Sequence, residues 1–280
     1  MKTISCSPFL FFCIGVTLVG LLMARTSKAA SAPREIYLLI GQSNMAGRGP
    51  LTESDKQPIP GVWKWTEAGA WEPAADPLRY DKPKAAGVGP GISFGQVIAK
   101  AHPGVEIGLV NRAFGGTAIA EWKKGAKPHK ELSPDKTLPP TEYALYKDAV
   151  EAAKAAMQQG GVLKGILWHQ GESDYRNKNF TKEGYVAALT ELIANLRADL
   201  NAPNVPVVLG ELGDYLDQTQ APFASINEAL KEVATKVPKV GVVSSQGLVN
   251  KGDHLHFDTP SQRLFGQRYA AEMLRLQVQP

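Results

Sequence analysis

The chain has 280 residues, 44% of them hydrophobic, which is enough to build one sizeable domain around its own core. It holds 31 basic and 27 acidic residues, but three of the basic ones and none of the acidic ones lie in the first 30 positions. Residues 31–280 therefore carry 28 basic and 27 acidic residues, a balance of +1. A surface this close to neutral argues against partners that bind through bulk positive charge, namely nucleic acids and anionic membranes.

Residues 1–30 have the pattern of a secretory signal peptide. Lys2 gives a short basic start, residues 9–23 are almost wholly apolar, and small residues follow at Ala29 and Ala30. The apolar run is shorter than the ~20 residues that a membrane span needs, which favours cleavage over an uncleaved anchor. We therefore expect a secreted or periplasmic protein with no membrane association after cleavage, and one domain over residues 31–280.

Both cysteines, Cys6 and Cys13, lie within the predicted signal peptide. The mature chain then has no cysteine, so it has neither a disulfide framework nor a thiolate metal site. Its stability is expected to come from an apolar core.

Short apolar runs alternate with helical patterns along the rest of the chain. Runs rich in Val, Ile and Leu predict buried strands at residues 36–40, 105–110, 163–168, 205–209 and 240–243. Helices are predicted over residues 90–102, 142–159, 181–200, 222–237 and 260–276, the third of them capped by Thr181. This alternation indicates an α/β protein with a parallel sheet covered on both faces.

Two stretches are predicted to be irregular. Residues 50–90 contain seven prolines, which exclude long helices and central strands, and residues 123–140 form a loop rich in Lys and Pro. Trp63, Trp65 and Trp71 lie in the first stretch. They either form a platform on which sugar rings stack or bury themselves beneath the loop.

Ser43 follows the first predicted strand, just after Gly41. The end of a buried strand is where open α/β sheets place their ligands. If a helix starts near Ser43, free backbone N–H groups face the same space and can stabilise a developing anion. Ser43 is therefore either a nucleophile or simply the cap of that helix.

The chain also offers partners for a nucleophilic serine. Two other strands lead into polar or glycine-rich turns, at Gly115-Gly116 and at Gln170, and parallel strands bring such turns to one edge of the sheet. A neutral serine needs an imidazole to take its proton, and the imidazole needs a carboxylate to orient it. Asp253 and His256 are three residues apart, so one turn of a loop can present both.

Other interpretations of the same residues stay open. Asp253, His254, His256 and Asp258 could be metal ligands, although no further cluster completes such a site. For the proton acceptor, His256 is predicted over His254, because the side chains of adjacent residues such as Asp253 and His254 diverge.

Residues 169–174 allow two further alternatives. His169 could be the base, but no carboxylate precedes it at a comparable spacing, so a place in the wall of the site is favoured. Glu172 and Asp174 could be the carboxylate pair of a glycoside hydrolase. Helix capping and hydrogen bonding within a loop explain this pair as well.

Four segments occur in a set order along nearly the whole mature chain: residues 41–47 (Gly-Gln-Ser-Asn-Met-Ala-Gly), 115–117 (Gly-Gly-Thr) with Trp122, 168–174 (Trp-His-Gln-Gly-Glu-Ser-Asp) and 253–256 (Asp-His-Leu-His). Each segment alone is a weak signal. Together they resemble the SGNH (GDSL-like) hydrolases, in particular the branch of carbohydrate acetylesterases that includes sialate O-acetylesterases and carbohydrate esterase family six.

The resemblance implies a flavodoxin-like, three-layer α/β/α sandwich with a five-stranded parallel sheet. It implies Ser43 as nucleophile, supported by His256 and Asp253. It also implies an oxyanion hole built from the backbone N–H of Ser43, a backbone N–H of Gly115 or Gly116, and the side-chain amide of Gln170. Many SGNH enzymes have Asn where this chain has Gln170, and Gln carries the same NH₂ donor on a longer arm.

The same resemblance implies that the substrate is an acetylated carbohydrate and that neither a metal nor an organic cofactor is needed. Gln42, Asn44, His169 and Glu172 are then expected to contact the substrate. Xylan, sialic acid and other acetylated glycans all remain open as the sugar. Two rival functions are a general short-chain esterase and a carbohydrate-binding protein of this fold without turnover, the latter disfavoured because binding alone needs no triad.

Overall fold

A computed structural model describes residues 33–133, 137, 139–215 and 222–278, together with Met1 and Thr3. The chain divides into two units between Ser31 and Ala32, and the fold below belongs to the second. The predicted signal peptide, residues 1–30, lies outside the described residues apart from Met1 and Thr3.

A seven-stranded sheet forms the centre of the fold, with a separate two-stranded sheet beside it. The strands are β1 (Arg34–Gly41), β2 (Val62–Trp65), β3 (Trp71–Pro73), β4 (Ile107–Asn111), β5 (His129–Glu131), β6 (Thr141–Tyr143), β7 (Gly161–His169), β8 (Val207–Gly210) and β9 (Val240–Val243). The central order is β3-β2-β4-β1-β7-β8-β9. All its pairs are parallel except β2–β3, and β5 pairs antiparallel with β6.

Helices cover both faces of the central sheet. They are α1 (Ser43–Ala46), α2 (Gly91–Ala101), α3 (Leu145–Gln158), α4 (Lys182–Asp199), α5 (Pro222–Lys236) and α6 (Thr259–Gln277), with 3₁₀ turns at Glu53–Lys56, Pro83–Ala85 and Ile119–Trp122. Ile36, Leu38 and Ile40 of β1 pack into one core with α3, α4 and α5. Tyr37 and Leu39 point the other way, into a second core with α2 and α6.

The predicted α/β/α sandwich is confirmed, and the five predicted strands occur in its central sheet as β1, β4, β7, β8 and β9. Thr181 caps α4 as predicted, because its hydroxyl accepts a hydrogen bond from the Gly184 N–H at 3.1 Å. The strand count of five is corrected to seven.

Both extra strands of the central sheet come from the stretch predicted to be irregular. The prolines flank β2 instead of interrupting it, so Val62–Trp65 can pair with β4, and Pro73 ends β3 at the sheet edge. The Lys- and Pro-rich loop likewise contains β5, and the helix predicted from residue 142 begins at Leu145, after β6.

The three tryptophans of this edge have different surroundings. Trp65 is 3% exposed and packs edge-on against Trp71, with 4.9 Å between ring centroids. The guanidinium of Arg34 lies over the rings of Trp71 and Trp63, at 4.5 and 5.1 Å. Burial therefore accounts for Trp65, while a sugar platform on the other two stays a prediction.

The carboxyl ends of β4, β1 and β7 lie side by side in the middle of the sheet. Leu39 pairs with Asn111, and Gly41 pairs with His169. Gly41 has a φ of +124°, and a side chain there would collide with the backbone carbonyl of His169. The chain can therefore turn sharply at Gly41, and the turns after all three strands share one edge.

Asp76 is a buried carboxyl in the loop between β3 and α2. Burial raises its pKa to about 7, although the Gly89 N–H and the charge of Lys64 act in the opposite direction. Its Oδ1 is buried without a hydrogen-bond partner among the described residues. Because the folded pKa lies above the unfolded one, the folded state binds this proton more tightly. The resulting stabilisation is complete below the unfolded pKa of about 3.9 and is lost as the pH rises through about 7.

Asp76→Asn is expected to raise the free energy of unfolding above pH 7 by about 2–4 kcal/mol, because the amide is never ionised. Near pH 4 the variant and the wild type should be equally stable. Urea denaturation at pH 4, 6 and 8 measures both effects, with Glu72→Gln, an exposed change on β3, as the control. A stability difference that does not vary with pH would contradict the buried, ionisable state of Asp76.

Candidate active site

Ser43, His256 and Asp253 form a hydrogen-bonded line at this edge of the sheet. Ser43 begins α1 directly after β1 and is 5% exposed. Its Oγ lies 3.0 Å from Nε2 of His256, and Nδ1 of His256 lies 2.7 Å from Oδ2 of Asp253. The structure thus brings together the three residues predicted to act as nucleophile, base and orienting acid, in the order that acyl transfer requires.

The loop before α6 selects His256 over its neighbour. Oδ1 of Asp253 accepts the backbone N–H groups of Leu255 and His256, at 3.0 and 2.8 Å. His254 has a left-handed φ of +55°, its N–H donates to Oδ1 of Asn250, and the residue is exposed. One tight turn therefore holds Asp253 and His256 together and leaves His254 on the outside.

The two titratable partners of this turn have shifted pKa values. Burial raises the pKa of Asp253. This effect is outweighed by hydrogen bonds from the backbone N–H and the ring of His256 and from the backbone N–H of Leu255, which bring the pKa down to about 2. Burial lowers the pKa of His256 below its usual range, because desolvation outweighs the attraction of Asp253. At neutral pH the pair is then a carboxylate beside a neutral imidazole, which can accept a proton.

Asn44 joins α1 to the histidine loop. Its Nδ2 donates to Oε1 of Glu172 at 2.7 Å and to the backbone carbonyl of Leu255 at 3.2 Å. Its Oδ1 accepts from the Phe257 N–H at 3.1 Å and from Nε2 of Gln262 at 3.3 Å. The bonds to Leu255 and Phe257 fix the segment on both sides of His256 to the residue next to Ser43.

His169 and Glu172 complete this buried network. Nε2 of His169 lies 3.2 Å from Oε1 of Glu172, and the imidazole packs edge-on against Phe257 and Phe265. Burial raises the pKa of Glu172, but the charge and hydrogen bond of His169 and the amide of Asn44 outweigh it, so the net shift is downward. The expectation that Asn44 and His169 contact substrate is corrected: both are buried and support the site, whereas Glu172 also lines the cleft.

The cleft above Ser43 has a volume of about 540 Å³. Four basic side chains surround it, and the lining consists of Gln42, Ser43, Arg48, Lys82, Ala85, Gly115, Gly116, Glu172, Ser173, Arg176, Lys251, Asp253, Leu255 and His256. Arg48 makes a buried bidentate pair with Asp81, at 3.1 and 2.6 Å. Neither member of this pair was predicted, since Asp81 lies in the stretch without a regular pattern.

The predicted oxyanion donors differ in availability. The backbone N–H groups of Ser43 and Gly116 have no acceptor among the described residues. The N–H of Gly115 donates to Oδ2 of Asp81 at 2.8 Å and is therefore already used. Gln170 is fully buried and absent from the lining of the cleft. Of the two glycines, Gly116 is thus the one with a free donor.

The alternative sites do not assemble within the residues that the structure describes. There, no group of three or more His, Cys, Asp or Glu side chains is arranged to hold a metal ion. Asp258 instead caps α6 by accepting the Ser261 N–H at 2.9 Å. Asp174 accepts from the Ile119 N–H and from Gln170, so it does not form an open carboxylate pair with Glu172. In the same described part, no helix is long and apolar enough to cross a bilayer.

Asn44→Ala is expected to lower the free energy of unfolding by about 2–4 kcal/mol, because it removes one of the two hydrogen bonds to the Glu172 carboxylate and leaves two backbone groups of the histidine loop without partners. It should also lower kcat, since the loop that carries His256 loses its anchor. Chemical denaturation and steady-state kinetics measure both effects. The control is Asn204→Ala, an exposed change, and equal behaviour of the two variants would contradict the anchoring role.

Comparison with known proteins gives one family and several similar structures. The family model described as SASA, carbohydrate esterase, sialic acid-specific acetylesterase, matches residues 33–275. A probable carbohydrate esterase of Arabidopsis thaliana is 32% identical over 263 residues, which cover 86% of this chain and 91% of the relative. The X-ray structure of that Arabidopsis protein superposes with a TM-score of 0.73 at 31% identity, over 87% of this chain and 98% of that one.

Two more distant structures share the fold. The crystal structure of NanS has a TM-score of 0.67 at 17% identity and covers 87% of this chain and 98% of that one. A carbohydrate acetylesterase from Xanthomonas citri has a TM-score of 0.60 at 20% identity, with 86% of this chain and 56% of that chain covered.

Proposed function

Because the chain belongs to the sialic acid-specific acetylesterase family of carbohydrate esterases, we propose that it is a serine esterase that removes O-acetyl groups from carbohydrates through an acetyl-enzyme. The observation that carries the mechanism is the line of hydrogen bonds from Asp253 through His256 to Ser43, at the floor of an open cleft. Family membership supports esterase chemistry on carbohydrates, and this line supplies the groups for it.

The first half-reaction transfers the acetyl group to the enzyme. Oγ of Ser43 attacks the acetyl carbonyl carbon as Nε2 of His256 takes the hydroxyl proton. The carboxylate of Asp253 holds Nδ1–H of the ring and stabilises the imidazolium. The carbonyl oxygen becomes an oxyanion, which the free N–H groups of Ser43 and Gly116 stabilise. When this intermediate collapses, His256 returns the proton to the departing sugar oxygen, leaving acetyl-Ser43.

The second half-reaction repeats these roles with water. His256 takes a proton from a water molecule, whose oxygen attacks the acetyl carbonyl carbon. The oxyanion forms at the same donors, and its collapse breaks the ester bond to Ser43, with the proton passing from His256 to Oγ. Acetate leaves and the free serine is restored. Every proton and electron pair is accounted for by these side chains, the substrate and water, so the scheme requires no cofactor.

The proposal includes an extracytoplasmic location. Its support is the basic start, apolar run and small residues of residues 1–30. One domain, residues 31–280, then performs the reaction after the signal peptide is removed. Acetylated glycans outside the cytoplasm are a substrate class consistent with that location.

Acetate release from a panel of esters tests the proposed function. The panel contains O-acetylated xylan, O-acetylated sialic acids and simple acetate esters of alcohols that are not sugars. We expect a higher kcat/KM for at least one acetylated glycan than for the simple esters. Equal rates across the panel would favour the general short-chain esterase, and glycan binding without acetate release would favour the binding protein.

A further inference from the structure

We propose that the buried ion pair of Arg48 and Asp81 is a positioning device for the turn formed by Gly115 and Gly116. Asp81 holds the N–H of Gly115, so that the N–H of Gly116 faces the reacting carbonyl, and Arg48 in turn holds Asp81. The inference rests on the proposed acyl transfer. It adds two residues that act through the turn and not on the substrate itself.

The Gly115-Gly116 turn cannot fix its own orientation. Gly116 has a left-handed φ of +81°, and a Cβ placed on it would meet no atom closer than 3.8 Å. Because neither residue has a side chain, the peptide plane between them can flip at little steric cost. A flip would replace the N–H of Gly116 by the carbonyl oxygen of Gly115, which repels an oxyanion. Bonds from outside the turn must therefore keep the donor in place.

Each end of the turn has one set of such bonds. After the turn, the carbonyl of Thr117 accepts from Nε2 of Gln170 at 2.9 Å, and its Oγ1 accepts from Nε1 of Trp122 at 3.0 Å. Before it, the N–H of Gly115 donates to Oδ2 of Asp81 at 2.8 Å, and it has no other acceptor among the described residues. Asp81 alone therefore anchors the N–H at that end, and its loss would free one side of the peptide plane.

Asp81 is held rigidly in the protein interior. Its side chain is fully buried, and its two oxygens accept from Nη1 and Nη2 of Arg48 at 3.1 and 2.6 Å. Nη1 of Arg48 also donates to the backbone carbonyl of Gly47 at 2.8 Å. A buried carboxylate stays ionised and in place only when it is paired. Arg48 is thus the group that keeps Asp81 against the turn.

The ion pair lies beside the reacting serine. A Cβ placed on Gly115 would lie 2.5 Å from Nη2 of Arg48 and 3.1 Å from Oδ2 of Asp81. The same Cβ would lie 3.3 Å from Cβ of Ser43. The pair, the turn and the nucleophile therefore meet at one point. A misplacement of about 1 Å at a reacting centre can cost about 10²-fold in rate, so a loosened turn should lower kcat.

Two double variants that differ in a single group test the positioning. Arg48→Met/Asp81→Asn removes both charges and keeps a side-chain oxygen that can accept the Gly115 N–H. Arg48→Met/Asp81→Leu removes both charges and the acceptor, and Arg48→Met/Asp81→Ala replaces it if it does not fold. None of them leaves an unpaired buried charge. We expect kcat of the Leu variant to be about 10–10²-fold below that of the Asn variant, with KM values within about threefold.

Inhibition by methylboronic acid separates positioning from a purely structural role. Oγ of Ser43 bonds to boron, its proton passes to His256, and the boron becomes tetrahedral and negatively charged, with one of its oxygens in the place of the oxyanion. Because this adduct resembles the transition state, its Ki should rise in the Leu variant by about the factor by which kcat falls. A purely structural role would change the unfolding midpoint and leave Ki equal in the two variants.

Lys147→Met/Glu151→Leu is the control, because it removes an exposed ion pair from α3 and should keep the wild-type kcat. Equal kcat and equal Ki in the Asn and Leu variants, or a difference confined to KM, would overturn the inference. Acetate release by the wild type and its loss in Ser43→Ala are measured in the same series. They report on the esterase proposal by themselves, so its failure and the failure of the positioning role give different results.

Discussion

Ser43→Ala is expected to lower kcat by several orders of magnitude while leaving the fold intact. The hydroxyl of Ser43 is the attacking group of the proposed mechanism, and no other hydroxyl is hydrogen-bonded to His256 in the described structure. Losing the nucleophile of such a unit costs about as much as losing the whole unit, because its members act together. Acetate release from the preferred glycan measures the loss, and the thermal unfolding midpoint checks the fold.

The control for this change is Ser225→Ala, the same substitution on α5. It should keep the wild-type kcat and a similar unfolding midpoint. Ser43→Ala should also still bind the acetylated glycan, since the walls of the cleft are unchanged. A pure Ser43→Ala preparation with near wild-type kcat would remove Ser43 from the mechanism.

His256→Ala is expected to abolish esterase activity, whereas His254→Ala keeps a measurable fraction of it. Only His256 contacts both Ser43 and Asp253, while His254 is exposed on the outer side of the turn. The two substitutions are matched controls for each other, because they remove the same ring from positions two residues apart. The reverse result, with His254→Ala inactive and His256→Ala active, would contradict this reading of the loop.

The pH dependence gives an independent check on His256. Only the neutral imidazole can accept the Ser43 proton, so kcat/KM should rise with pH through the pKa of His256. Because burial lowers that pKa, the midpoint should lie below the usual imidazole value of about 6.5. His254→Ala should show the same acid limb as the wild type. A midpoint well above the usual imidazole value would contradict the buried, neutral state of the base.

Much of the fold follows from local pattern. Each central strand is a short run of Val, Ile and Leu that must be buried on both faces, and this requirement alone identifies β1, β4 and β7. The strands β2 and β3 were missed because they are short, lie among prolines and are only partly buried, so β2 depends on pairing with β4, and β3 at the sheet edge depends on pairing with β2.

Part of the candidate site can likewise be predicted from the sequence, and part of it cannot. Asp253 and His256 are close in sequence, so the chemistry of a serine nucleophile was enough to pair them and to predict their place near Ser43. The sequence pattern does not predict which side chains from distant segments contact each other. The Asp81 carboxylate takes the Gly115 N–H, and Thr117 and Asp174 take the amide of Gln170. Which donors remain free therefore became apparent only from the packed structure.

Labelling with a fluorophosphonate, which forms a covalent bond with an activated serine, is the decisive test of Ser43 as the nucleophile. The labelled enzyme is digested and the modified residue is identified by mass spectrometry, in parallel with loss of acetate release. We expect one label per chain, on Ser43, with activity lost in proportion to labelling, and much slower labelling of His256→Ala. A label on another residue, or full modification of Ser43 with activity retained, would contradict it.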